Sequence, residues 1–100
     1  MQVKVCRLES VSARSIKQFY VNEREVLVIN IDGNFYCLDA RCTHAGAPLA
    51  EGILDGEVLT CPWHGSQFRI SNGVVQRGPA QNDLRVYPHK VRDNYLFIEF

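Results

Sequence analysis

The chain carries no surplus charge: its eleven Lys and Arg balance eleven Asp and Glu, and no basic run occurs anywhere in its 100 residues. With no positive field to gather phosphates, nucleic acid is excluded as a partner class. Long hydrophobic runs are missing too. Stretches such as Val26–Ile29 fall far short of the roughly 20 apolar residues that a membrane span requires. The start, Met1-Gln2-Val3-Lys4-Val5, has no signal-peptide core, so a cytoplasmic protein, monomeric in isolation and without a membrane partner, is expected. Helical periodicity is lacking, because no stretch repeats apolar residues at i, i+3, i+4 and i+7 for three turns. Repeats and low-complexity segments are absent, and histidine is scarce, at three residues.

What is present is an ordinary globular composition, 46% hydrophobic and 22% charged, which predicts one folded domain over residues 1–100. A chain of this length buries only roughly 60–70% of its unfolded surface, so its core is modest and a bound cofactor would help to hold it. Short β-prone stretches recur between turn signals: Val3–Leu8, Ile16–Val21, Val26–Ile31, Phe35–Leu38, Val58–Thr60, Gln67–Ile70, Val74–Gln76, Leu84–Val91 and Tyr95–Phe100. Asp32-Gly33, Asp55-Gly56 and Asn72-Gly73 read as strong hairpin turns whose two residues both tolerate positive φ, with Asn22-Glu23 and Asp93-Asn94 as weaker versions. The pattern predicts an all-β fold, an antiparallel sandwich or small barrel. Gly, Pro, Cys and His gather in Arg41–Pro48, Cys61–Ser66 and Gly78–Asp83. Loops on a rigid β scaffold are where binding chemistry concentrates.

Cys42-Thr43-His44 and Cys61-Pro62-Trp63-His64 form C-x-H, a gap of sixteen residues, then C-x-x-H. Each half pairs a thiolate with an imidazole, and a hairpin around Asp55-Gly56 would bring the halves side by side. Four cysteines without an export signal favour metal ligation over disulfides. The plainest alternative, buried cysteines and satisfied histidines, sits poorly with four residues that all fall in loops. A structural Cys2His2 zinc site usually pairs two Cys in one half and two His in the other, whereas both halves here are mixed.

With these residues in view, the chain resembles the Rieske family over essentially its whole length. The resemblance rests on C-T-H-A-G-A-P-L from Cys42, C-P-W-H-G-S-Q-F from Cys61 and G-P-A at Gly78–Ala80. It implies a Rieske-type sandwich with a loop-rich cluster-binding subdomain at approximately residues 41–80 and one [2Fe-2S] cluster per chain. By the same resemblance, Cys42 and Cys61 bind one iron, His44 and His64 bind the other, and the G-P-A segment covers the cluster. Two thiolates cancel the surplus positive charge of two ferric ions and two sulfides, so the oxidised centre is neutral. An electron enters such a centre more easily than an all-cysteine one, at roughly −150 to +300 mV against about −400 mV.

High-potential family members carry a disulfide beside the cluster and a tyrosine on a ligand sulfur; here Ala47, Trp63 and Phe68 stand at those places, while Ser66 retains a hydroxyl for a sulfide. Fewer hydrogen bonds to sulfur lower the potential, so the low part of the range and an oxygenase-type ferredoxin are expected. A complete oxygenase needs a further facial triad of two histidines and a carboxylate, and only His89 is left over. The resemblance therefore implies not an enzyme but an electron carrier between a reductase and a terminal oxygenase. A small accessory subunit of assimilatory nitrite reductase is the alternative, and neighbouring genes would separate the two.

Trp63 reads either as a solvent shield or as simple packing under the loop. Gly46, Pro48, Pro62, Gly65 and Pro79 would shape the pocket, letting backbone amides approach sulfide. Cys6 and Cys37 fall in β-prone stretches and read as small buried hydrophobes, and His89 is given no role. The rim residues Arg41, Glu51, Arg77, Gln81 and Asp83 show no recognition code.

Overall fold

In a computed structural model describing every residue from Met1 to Phe100, the chain forms ten strands and two short 3-10 turns, Leu8–Ser10 and Leu49–Glu51. The strands are β1 (Gln2–Arg7), β2 (Ser15–Val21), β3 (Arg24–Ile31), β4 (Asn34–Asp39), β5 (Ile53–Asp55), β6 (Val58–Thr60), β7 (Gln67–Arg69), β8 (Val75–Arg77), β9 (His89–Arg92) and β10 (Tyr95–Glu99). Three antiparallel sheets result, ordered β1-β10-β9, β2-β3-β4 and β5-β6-β7-β8. No helix is long and apolar enough to cross a membrane.

The unbroken apolar run in β3 has a structural cause. Side chains alternate across a strand, and here both faces are covered. Leu27 and Ile29 enter one buried cluster with Leu38, Leu49, Leu59, Phe68 and Ile70. Val26 and Val28 enter a second, with Val11, Cys37, Tyr87, Leu96 and Ile98. The buried Asn30 is paired at both side-chain atoms: its Nδ2 donates to Val11 O at 2.8 Å and its Oδ1 accepts from Gly33 N at 2.8 Å. Unpaired, those groups would cost about 1–3 kcal/mol.

Three sequence expectations need correction. Residues 84–91 are not one strand: Val86 makes an isolated bridge to Leu38, and pairing resumes only after Pro88, which has no N–H to give a ladder. A strand goes unseen at Ile53–Asp55, too short to show alternation. The turns also differ from expectation. Asp32-Gly33, Asn22-Glu23 and Asp93-Asn94 each hold both residues at positive φ, as a type I′ hairpin requires, but at 55–56 and 72–73 only the glycine does. Because Asp55 pairs with Val58, the β5–β6 turn is Gly56-Glu57, with glycine at the first central position as in type II′.

Candidate metal centre

The four-stranded sheet carries the site. One loop (42–47) leads into the Leu49–Glu51 turn and β5, a second (61–66) connects β6 to β7, and a third (78–83) follows β8. The first two are built alike. Cys42 N donates to Ala47 O at 2.9 Å, and Cys61 N donates to Ser66 O at 2.7 Å. Each loop thus closes on a residue five positions on, with a glycine at the fourth. Gly46 and Gly65 take φ of 73° and 76°, and no heavy atom lies within 4 Å of where a Cβ would stand. This repeated C-x3-G spacing is the local signal for the two matched loops in the sequence.

Within this frame the sulfurs and nitrogens separate. Cys42 and Cys61 are buried, each 4% exposed. His44 and His64 are exposed beyond them, their ring centroids 5.1 Å apart and edge to face. The four residues thus lie as a buried pair of cysteines and an exposed pair of histidines. Burial pushes the Cys61 thiol above its ordinary value; the Trp63 backbone N–H opposes this, and neighbouring Cys42 adds to it. A buried thiol that resists ionising alone is deprotonated outright when it coordinates a metal. The donor set therefore fits a two-metal centre with sulfur on the inner side and imidazole on the outer.

Further bonds fasten the loops together. Ser66, 1% exposed, accepts the Ala80 N–H on its Oγ at 3.0 Å, and Thr43 Oγ1 donates to Asn82 O at 2.6 Å. The third loop is thereby pinned to both others, through Thr43 and Asn82 as well as the expected segment at 78–80. From the other side Arg41 braces the first loop, its Nε bonded to Glu25 Oε2 at 2.9 Å and its Nη1 to Gly46 O at 3.3 Å.

Phe68 and Ala47 are fully buried, while Trp63 is 51% exposed, standing out from the loop rather than packing under it. The remaining cysteines and histidine lie elsewhere. Cys37 is buried and Cys6 half-buried in the second cluster, and His89 sits on β9 opposite Ile98, in another sheet.

The chain is 31% identical to the biphenyl dioxygenase ferredoxin subunit of Pseudomonas sp. (strain KKS102) over 98 residues, covering 97% of this chain and 90% of that one. It is 28% identical to human apoptosis-inducing factor 3 over 98% of its own length, but it spans only 16% of that relative. A chain of the solved complex of reduced oxygenase and oxidized ferredoxin in carbazole 1,9a-dioxygenase superposes with a TM-score of 0.88 at 30% identity, with coverage of 97% and 91%. Residues 1–88 match the Rieske [2Fe-2S] domain, and the chain belongs to that family.

Proposed function

We propose that the chain is a one-electron carrier, with Cys42 and Cys61 holding one iron of a single [2Fe-2S] cluster and His44 and His64 holding the other. The observation that carries this reading is the separation of two buried sulfurs from two exposed imidazoles 5.1 Å apart. When bound, the cluster supplies a centre that takes up and gives back one electron. The chain's own residues do the rest. The thiolates would neutralise the ferric charge, the buried Ala47, Ser66 and Ala80 limit water at the sulfur side, and the imidazoles would present the outer iron at the surface, where a partner can approach.

Residues 1–100 act as one domain, with the cluster-binding part at approximately 41–80. The chain transforms no substrate itself. It receives an electron from a reductase and passes it to a terminal oxygenase, a reading supported by relatives named as ferredoxin components of dioxygenase systems and by a solved oxygenase–ferredoxin complex. Its four unpaired cysteines suit the reducing cytoplasm, where it works as a monomer between encounters.

Metal and sulfide analysis with EPR tests this. Two irons and two acid-labile sulfides per chain, with a Rieske-type signal only after reduction, are expected; one zinc without sulfide would overturn the proposal.

A further inference from the structure

The tip that would meet a partner is uncharged. Residues 43–48, 62–66 and 78–82 contain no Asp, Glu, Lys or Arg, although 22% of the chain is charged. Flanking charges cancel, Arg41 and Arg77 against Glu51 and Asp83, and two of the four are engaged within the chain. Arg41 is paired with Glu25 at 2.9 Å, and Asp83 accepts the Val75 N–H at 2.9 Å. The oxidised centre adds no charge, and the reduced one adds a single negative charge.

Into this neutral face stands the chain's single tryptophan, beside His64 and half exposed. A large aromatic ring left in water among small uncharged residues is of the kind that often anchors an interface. Charge steering is weak here, because steering needs an excess of one sign on the approaching face and the reduced centre supplies only one negative charge.

We propose that the protein accepting the electron is recognised through an uncharged, apolar contact centred on Trp63. Its receiving face is apolar, carries no charge opposite the tip and offers a recess for the indole. This inference rests on the carrier reading above. It makes association only weakly sensitive to ionic strength and dependent on one ring, so partner selection works by shape and apolar fit at the moment of contact.

The test uses the reduced holoprotein and two one-electron oxidants of equal charge, tris(phenanthroline)cobalt(III) and hexaamminecobalt(III). In each reaction one electron passes from the protein's centre to cobalt(III), which becomes cobalt(II). Only the first oxidant offers aromatic surface. Trp63→Ala should slow oxidation by the phenanthroline complex about two- to tenfold, the worth of one aromatic contact, and leave the hexaammine rate unchanged. Trp63→Phe should restore most of the loss. Ala45→Lys, placing a charge on an exposed tip position, should slow both oxidants at about 0.01 M salt and neither at about 1 M, where the screening length is a few Å. With an intact Rieske EPR signal, equal slowing of both oxidants by Trp63→Ala, or of neither, overturns this inference alone. A chain with no reducible two-iron centre overturns the carrier reading along with it.

Discussion

Ser66 and Ala80, fourteen residues apart, are joined by one bond from the Ala80 N–H to the Ser66 Oγ at 3.0 Å, with both residues buried. The serine expected to serve the cluster thus also serves the protein, since its oxygen accepts from the third loop while its proton is left to donate. Ser66→Ala would strand a buried N–H, at a cost of about 1–3 kcal/mol, and would remove a hydroxyl donor beside the sulfides. The expected outcome is faster hydrogen exchange at Ala80, a lower urea midpoint and a lower reduction potential. An unchanged exchange rate at Ala80 would show that the loop is held by other contacts.

Gly73 occupies a position that no other residue fits. Its φ is 75°, and a Cβ there would stand 2.1 Å from the Leu84 carbonyl oxygen. That same segment is tied back by Leu84 N donating to Gly73 O at 2.8 Å. Gly73→Ala forces the segment after the third loop outward and should destabilise by about 2 kcal/mol or more. Chemical denaturation of the loaded protein measures this, and a change under about 0.5 kcal/mol would contradict the packing described.

Cys37 predicts a pH dependence. Burial, with a smaller contribution from Cys6, pushes its thiol from an ordinary value of 9.0 up to about 12. Between those values the unfolded chain has lost the proton and the folded chain keeps it. The unfolded state then binds fewer protons, and stability falls as pH rises, by at most about 1.4 kcal/mol per unit. Thermal melts from pH 8 upward should show this decline in the native protein and a shallower one in Cys37→Ala. Equal slopes would mean that the thiol ionises in the folded state.

The cysteines should divide into two pairs. Cys42→Ser and Cys61→Ser are expected to abolish normal cluster assembly, whereas Cys6→Ser and Cys37→Ser cost packing and leave the visible and EPR spectra intact. Loss of the cluster in a folded Cys6→Ser or Cys37→Ser protein would show that the ligand set is wrong.

Where sequence sufficed and where it did not follows from what each feature depends on. The hairpins at 22–23, 32–33 and 93–94 depend on local φ preferences of Asn, Asp and Gly, and a sequence displays these directly. The mixed Cys and His halves are likewise local, and so stood out before any fold was known. Strand β5 is different: Ile53 is 70% exposed and only pairing with β6 makes it a strand, a non-local fact. The break before β9 is signalled by Pro88, but the apolar and aromatic residues on either side carry the β pattern across it. The exposure of Trp63 and the bonds from Ser66 and Thr43 to the third loop depend on three distant segments meeting, which no single stretch of residues announces.

Cys42, Ala47, Cys61 and Ala80 belong to the same buried cluster as Leu27, Ile29 and Leu38 of the neighbouring sheet. The wall of the metal pocket is therefore also the interior of the domain, and iron loss is felt as lost folding energy. Limited proteolysis should cut the iron-free chain faster than the loaded one, because its opened population is larger. In a cell the lifetime of each copy would then report its loading.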